Sequence, residues 1–457
     1  MRSGLAVRVA SVATILAAGA GVAFAAPQTD LTTPPANILL PNYNTVPVGP
    51  NAGLESGAYV ARVGDPSAAW INPAGLSRGH SAELSGSSGL YQFTTVNPSA
   101  FSSNGGSLQD IPSLVGFTVP KLLGDRWTLG VAVLTPNSWT QGTDAQIIKQ
   151  SGDGEEHFAF SADSQFEQVA VAGSVGYAIE RWRVGAGLAL VETNISRNAV
   201  VSDRVASQNS LTSVLIASRA SGDAIQVRPL AGVQYEASTH LLFGGMVRMP
   251  AITLLKSGSY TSEGVADGAA ESQGLSFFDP NARFTYRFPV ELHGGAAYVS
   301  PRLEIETDVH AFTSVGTYTL LSSDQPIITY ADTTTTTPTI GTQPFTGFVS
   351  QSRGVVNVSA GGHIALSASG AWRLHFGAET DLSPVGSADQ VFTRVNLYGG
   401  TIGVSGTRGG FQFTVGVNYR SGSSGEVALR PLPGNETSES IIRIRTIGLI
   451  YALSYKF

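Results

Sequence analysis

The sequence has no cysteine and few charged residues. The absence of cysteine excludes disulfides, thiolate metal sites, cysteine nucleophiles and an acylated lipoprotein anchor. Charged residues make up 13% of the 457 residues, about half the usual share in soluble globular proteins. Four of the basic residues are lysines and none lies in a basic run, which argues against nucleic acid as a partner; these lysines are Lys121, Lys149, Lys256 and Lys456.

Motifs of nucleotide-binding enzymes are also missing. The sequence contains no Walker loop and no G-x-G-x-x-G. None of its seven histidines has a metal-ligand spacing such as H-x-x-x-H. His363 and His375 fall on neighbouring predicted strands and could meet, but two polar residues lining a lumen explain them better. We therefore expect no cofactor and no metal, and we do not expect an enzyme.

Apolar runs are short outside the N-terminus. Residues 1–25 predict a secretory signal, because Arg2 and Arg8 precede a small apolar stretch that ends in Ala-Phe-Ala. An N-terminal anchor is the alternative, which the Pro-rich segment that follows disfavours. No later run reaches about 18 apolar residues, so no spanning helix is expected. An exported chain without such helices can still cross a membrane as a closed β-barrel.

Apolar and polar residues alternate with a period of two through much of the chain. Clear cases are residues 182–190, 303–310 and 372–379. In a soluble sandwich the apolar face would be the core, whereas in a barrel it would face lipid and the charges would line the lumen. Glu304, Glu306 and Asp308 share one strand face; a calcium or acid–base site is conceivable, but a solvated lumen with arginines on adjacent strands is favoured.

The end of the sequence favours the barrel. Phe457 is preceded at every second position by Tyr455, Leu453, Tyr451 and Leu449. Such a strand resembles the signal that the barrel assembly machinery of Gram-negative outer membranes recognises. We therefore expect an outer-membrane location, with outer-membrane lipids around the barrel.

Alternation and turn signals predict fourteen strands, an even number as single-chain bacterial barrels require. They lie near 81–95, 113–120, 126–136, 166–179, 182–196, 224–237, 240–254, 284–298, 302–315, 355–367, 371–381, 395–406, 410–420 and 441–457. Short turns alternate with long loops, as periplasmic turns and extracellular loops do; the long ones are expected near 137–165, 197–223, 255–283, 316–354 and 421–440. The Thr-rich stretch 333–337 would be a solvated loop tip.

The segment before the strands does not alternate. Its first half, 26–50, is rich in proline and should lack regular structure. It is followed by Trp70-Ile71-Asn72-Pro73-Ala74-Gly75-Leu76. This run resembles the Asn-Pro-Ala signature of the FadL/TodX family of outer-membrane transporters for long-chain fatty acids and hydrocarbons.

Weaker similarities extend the resemblance over nearly all of residues 51–457. They include 246–252, 288–290, 304–314 and 382–385. Two departures are the Trp70-Ile71 pair, in place of a more typical aromatic pair, and a leader longer than the family's usual start. The resemblance implies an all-β fold: a fourteen-stranded antiparallel transmembrane β-barrel with an N-terminal hatch.

The expected organisation is a signal peptide at 1–25, a Pro-rich leader at 26–50, a hatch at 51–80 and a barrel at 81–457. A segment so rich in Gly, Ala and Pro cannot build its own core, so the hatch should fold inside the barrel; a periplasmic linker is the alternative.

The hatch would hold Asn72, Pro73 and Ala74 against the wall. In the family a kinked third strand opens a lateral exit, which Gly130 and Pro136 would produce here by weakening the ladder.

The resemblance implies passive uptake of long-chain fatty acids or other hydrophobic molecules. A fatty acid needs an apolar slot that ends in a cation. Arg197 is the first candidate, because it has the inward register counted from Trp182 and matches the position of the family's carboxylate-binding arginine within two residues. Arg353 is the second. A lipase-type enzyme, or an adhesin or receptor acting through its loops, remains an alternative.

Overall fold

The computed structural model describes residues 38–44, 48–98, 105–122, 124–151, 154–207, 210–268, 271–333, 337–386, 394–429 and 438–457. The predicted signal peptide and leader residues 26–37 and 45–47 lie outside these ranges. The strands, in chain order, are β1 (Glu83–Pro98), β2 (Gly105–Pro120), β3 (Trp127–Ser151), β4 (Gly154–Ile179), β5 (Trp182–Ser207), β6 (Ser210–Glu236), β7 (Leu241–Arg248), β8 (Ile252–Asp267), β9 (Glu271–Asp279), β10 (Arg283–Phe284), β11 (Glu291–Val299), β12 (Leu303–Phe312), β13 (Val315–Ser322), β14 (Pro326–Thr333), β15 (Thr339–Pro344), β16 (Phe348–Ser352), β17 (Val355–Ala365), β18 (Trp372–Asp381), β19 (Leu397–Arg408), β20 (Phe411–Leu429) and β21 (Ser438–Lys456).

Fourteen of the described strands form a closed antiparallel barrel. Strands β1–β7, β11, β12 and β17–β21 pair in that order. The last strand, β21, pairs with β1 and closes the ring. Each barrel strand overlaps one of the fourteen predicted from alternation, so the predicted fold class is confirmed.

The long connections differ from the prediction. The segments 137–165 and 197–223 are largely strand, because β3–β4 and β5–β6 continue their pairing as tall hairpins. These segments contain many Ser, Thr and Gln residues, and backbone pairing in water tolerates such polar side chains on both faces of the strands. Strands β8, β9, β14 and β15 extend the sheet from β6, and β10, β13 and β16 form a separate small sheet.

Side-chain polarity is inverted relative to a soluble protein. On β12, Ile305 and Val309 face outward with 41% and 44% exposure, whereas Glu306 and Asp308 face inward with 2% and 0%. Trp182 is 49% exposed, as its predicted lipid-facing parity requires. The alternation therefore gives an apolar belt outside and a polar lumen, the arrangement of a membrane barrel.

The segment before β1 lies within the barrel and contains three short helices. They are α1 (Pro50–Leu54), α2 (Ala68–Ile71) and a 3₁₀ helix (Pro73–Arg78). Helix α1 begins at Pro50, inside the segment expected to be irregular, because proline at the first helical position has no N–H to leave unpaired. No helix among the residues that the structure describes is long and apolar enough to span a membrane.

Glycines in the wall let this segment approach the strands closely. A Cβ at Gly185 of β5 would overlap with the backbone of Pro73 and Ala74, and a Cβ at Gly232 of β6 would overlap with Asn72. Gly176 of β4 faces the same helix. The wall is therefore shaped to the segment that it holds, in the manner of close backbone approach at strand glycines.

Replacing Gly185 by Val should loosen the hatch without opening the barrel. Overpacking of this kind costs about 1–3 kcal/mol, which should raise trypsin cleavage after Arg62 and Arg78 by roughly tenfold if cleavage follows the opened population. Gly173→Val is the matched control, because Gly173 on β4 faces outward with nothing within 4 Å of its Cβ position. Equal cleavage of the two variants would contradict the packing described here.

Candidate functional site: the hatch and the lumen cavity

The predicted Asn-Pro-Ala residues lie against the inner wall. Asn72 is fully buried, and its amide nitrogen donates to the Val60 carbonyl at 2.9 Å and to the Val233 carbonyl of β6 at 3.2 Å. The side-chain oxygen of Asn72, Oδ1, accepts from the Ala74 N–H at 3.2 Å. Asn72 has the extended backbone that a following proline imposes. One side chain therefore links two parts of the hatch to the barrel.

The acidic face of β12 binds the hatch backbone. Asp308 accepts from the N–H groups of Tyr59 and Val60 at 2.8 and 3.0 Å, and Glu306 accepts from that of Ala61 at 2.5 Å. The expected solvated lumen with arginines on adjacent strands is wrong for Glu306 and Asp308. Both carboxylates are buried beneath the hatch. They accept hydrogen bonds from hatch N–H groups that would otherwise lack acceptors.

The main cation at these acids comes from the hatch itself. Arg62 is buried, donates to Glu306 at 2.9 Å and forms an ion pair with Glu55. Burial by itself raises the pKa of the Glu55 carboxyl, but the charge of Arg62 and the two nearby histidine rings hold that pKa well below its usual range. Glu55 therefore stays ionised, and Arg62 lies between the hatch and β12 as a buried counter-ion.

His363 and His375 do meet. They are register partners on β17 and β18, and the Nδ1 atom of each faces Glu55 Oε1, at 3.0 and 2.8 Å. The expectation that they simply line a polar lumen is wrong, because helix α1 covers them. His375 Nε2 lies 2.8 Å from Ser405 Oγ. This is the order of a Ser-His-acid triad, but Ser405 is 1% exposed and has no access for a substrate.

A cavity of about 140 Å³ lies between the hatch, the leader and the wall. Much of its lining is apolar or aromatic, supplied by Tyr43, Val48, Ile71, Tyr286, Phe288 and Phe312. Tyr43, from the predicted leader, stacks on Phe312 with 4.4 Å between ring centroids. Leader residues 38–44 thus help to enclose the cavity.

One end of the cavity is charged. Arg228 and Arg248 both pair with Glu291, with Arg228 Nη1 at 2.7 Å from Glu291 Oε1. Arg248 lies over the Trp70 ring at 4.1 Å, and Arg228 lies over the Phe288 ring at 4.6 Å. The trio carries one surplus positive charge, because Glu291 balances one of the two arginine charges.

Neither predicted ligand-binding arginine lines this cavity. Arg197 points inward and is 6% exposed, but its Nη1 donates to Ser164 Oγ at 2.7 Å on the tall part of the wall. Arg353 is exposed and donates to the Ser383 carbonyl at 3.0 Å. Ligand binding by Arg197 or Arg353 stays a prediction. The sequence did not indicate Arg228 or Glu291 as site residues. Arg248 lies in the segment 246–252, which resembles the FadL/TodX family.

The predicted gate residues behave differently from each other. Gly130 is paired on both sides, to Thr118 of β2 and Ser174 of β4, so the ladder does not break at this residue. It is a glycine because a Cβ would overlap with the Leu76 side chain. At Pro136 the register of β3 against β4 shifts, and the pairing of β2 with β3 ends at Leu114 and Leu134. Pro136 also lines the cavity.

The chain has the fold of known outer-membrane channels. No protein-family model and no curated protein sequence matches it. Among solved structures, it is similar to a Pseudomonas aeruginosa FadL homologue (TM-score 0.58, 13% identity, 92% of this chain and 99% of that one). It is also similar to the P. putida toluene transporter TodX (0.58, 13%, 90% and 98%) and to the CymD monoaromatic hydrocarbon channel (0.53, 14%, 91% and 99%). The fold that the sequence motifs implied is confirmed.

Removing Arg62 should destabilise the folded protein strongly. Arg62→Leu leaves Glu55 and Glu306 buried without their counter-ion, a change that costs about 3–5 kcal/mol in comparable buried pairs. Urea unfolding in detergent measures the loss. Arg78→Leu is the control, because Arg78 and Glu236 are partly exposed and 3.8 Å apart, and such pairs contribute about 1 kcal/mol or less. If both variants lose the same stability, the Arg62 cluster does not hold the hatch.

Proposed function

We propose that the protein is a passive transporter of hydrophobic molecules across a Gram-negative outer membrane. The ligand enters from the tall hairpins, binds in the lumen cavity and leaves sideways between β2 and β3 when the hatch shifts. One observation carries this proposal: Pro136 and Asn137 line the cavity at the place where the pairing of β2 with β3 has ended. A cavity that adjoins a gap in the ladder supports an exit through the wall.

The cavity supports a compact ligand. Its volume of about 140 Å³ is close to the roughly 150 Å³ that accommodates benzene in an engineered protein cavity. The arginines at its charged end are already paired with Glu291, so they attract a carboxylate less than free arginines would. We therefore favour a neutral hydrocarbon or monoaromatic compound, as for the toluene transporter TodX and the monoaromatic hydrocarbon channel CymD, and treat the fatty acid as the competing ligand.

The same proposal covers location and assembly. Residues 1–25 would direct export and be removed, 26–50 would be the leader, 51–80 the hatch and 81–457 the barrel. The outward row ending at Phe457, which is 68% exposed, would be the strand that the assembly machinery recognises. The apolar belt would contact outer-membrane lipids.

The alternative functions have less support. A lipase-type enzyme needs a serine–histidine pair that lipid can reach, whereas the pairs Ser405–His375 and Ser359–His310 have serines that are 1% and 2% exposed. An adhesin acting through its loops would leave the cavity and the gap in the ladder without a role.

Cross-linking β2 to β3 at the gap should block transport. Pairing would continue with Ser113 and Thr135, so Ser113→Cys with Thr135→Cys should form a disulfide across the gap when oxidised. Uptake of labelled toluene into cells should then fall and recover on reduction. Because the chain has no cysteine, the background is clean.

The matched control is Val115→Cys with Val133→Cys, a pair already in register two residues away on each strand. Its oxidation should leave uptake unchanged. If uptake is undiminished when the Ser113→Cys/Thr135→Cys pair is oxidised, the lateral route is ruled out.

Filling the cavity should separate the candidate ligands. Ile71→Trp adds volume at a lining position, so it should reduce toluene uptake, whereas Val131→Trp on the outward face of β3 should not. Arg197→Ala should weaken uptake of oleate and spare a neutral alkane if Arg197 is a carboxylate site. Oleate uptake with no toluene uptake in the unmodified protein would overturn the compact-ligand assignment while leaving transport itself in place.

A further inference from the structure

Two histidines and one glutamate converge between the hatch and the wall, outside the lining of the cavity. Glu55 Oε1 lies 3.0 Å from His363 Nδ1 and 2.8 Å from His375 Nδ1. One ligand atom from each of the three residues lies within 4.8 Å of the others. This is the geometry in which three side chains can share a single cation.

The outer contacts of the rings favour such a cation. His375 Nε2 lies 2.8 Å from Ser405 Oγ, and His363 Nε2 points toward Glu304 Oε1 at 3.7 Å. Without an ion, each Nδ1–H donates to Glu55 Oε1, because a carboxylate accepts and has no proton to donate. A divalent ion would replace these two protons, and each ring would then carry its proton on Nε2, which faces Ser405 Oγ in His375 and Glu304 Oε1 in His363. Metal-binding histidines use their second nitrogen in this way.

The local charge also favours a cation. Three carboxylates, those of Glu55, Glu304 and Glu306, contact one guanidinium, that of Arg62. Arg62 binds Glu55 through Oε2 and leaves Oε1 to the histidines. A divalent ion at Oε1 would therefore compensate charge without displacing Arg62.

The backbone of Glu55 packs directly against the barrel wall. A Cβ at Gly361 of β17 or at Gly377 of β18 would overlap with the backbone of Glu55. Each glycine lies two residues from one of the histidines on the same strand, with the same inward register. The wall thus forms a notch for Glu55 and supplies both histidines beside it.

We propose that Glu55, His363 and His375 form a divalent metal site, with zinc as the ion that fits this ligand set. Two histidines and one glutamate are a known zinc ligand combination, with metal–ligand distances of about 2.0–2.2 Å. Glu55 and His375 are fully buried, so the ion fastens the hatch to β17 and β18 and is not open to a substrate. The inference is independent of the identity of the transported molecule.

Zinc stoichiometry tests the site directly. The purified full chain in detergent is treated with a chelator, dialysed against zinc, and its bound metal is measured by mass spectrometry. We expect one zinc per chain, with an affinity at least roughly tenfold weaker in His363→Asn and in His375→Asn. Cobalt substitution adds a spectroscopic signature, because visible bands of four-coordinate cobalt should appear in the unmodified protein and be lost in both variants.

The matched control is His310→Asn, which removes another buried inward histidine, one that contacts His293 instead of Glu55. It should keep one zinc per chain. Migration of unheated samples in detergent gels confirms that each variant has folded. Absence of stoichiometric zinc from the folded unmodified protein, or full zinc retention by the double variant His363→Asn/His375→Asn, would overturn the site.

Trypsin cleavage tests whether the ion fastens the hatch. At a free zinc concentration 100 times the dissociation constant, cleavage after Arg62 should slow by up to roughly a hundredfold, because the ion binds the closed form alone. Zinc should not slow cleavage of the double variant. Stoichiometric binding with unchanged cleavage would refute the fastening role.

Discussion

A fourteen-stranded barrel is too wide for its own inward side chains to fill the lumen. Eight strands enclose a space that their own inward side chains can fill, but the diameter grows with strand number. In this protein the filling comes from residues 38–44 and 48–80, which contain only short helices. Such a segment cannot pair all of its own N–H and C=O groups, and buried groups of this kind must find partners.

The inward chemistry of the wall follows from that requirement. Asp308 and Glu306 accept hatch N–H groups, and Gln234 Nε2 donates to the Val60 carbonyl at 3.1 Å. Glycines occur where the two backbones touch. The buried acids are costly, and a buried ion pair is weak evidence of net stability. Their value lies in position, because an acidic acceptor fixes which hatch residue faces which strand.

The sequence allowed the wall to be predicted better than its contents. Period-two alternation and turn residues located all fourteen strands, because the polarity of each residue in a barrel strand indicates whether its side chain faces outward or into the lumen. The tall hairpins were not predicted, because strands that pair in water need no apolar face. Their sequence pattern therefore resembles that of loops. Asn72, Pro73 and Ala74 were found because their motif is local. Arg228, Arg248 and Glu291 come together from three strands, and no spacing along the chain reveals that meeting.

Hatch contacts left a weaker trace in the sequence. Glu55 and Arg62 are an acid and a base seven residues apart in a mostly apolar stretch, and β12 carries an excess of acids. Neither fact identifies the partner of the other, because strand register relates an inward residue only to its neighbouring strands. In a plugged barrel the nearest neighbour of an inward residue is often on the plug.

The height of the hairpins determines how much of the barrel lies outside the apolar belt. Strand β4 has 26 residues, about 85 Å of chain at ~3.3 Å per residue. With a tilt of about 40° and an apolar band of about 25 Å, more than half of its height stands above the bilayer. Phe158, Phe160 and Ala162 form a buried apolar cluster with Ala199 in this upper part. These side chains pack against one another, so the upper hairpins enclose an apolar interior instead of a water-filled one.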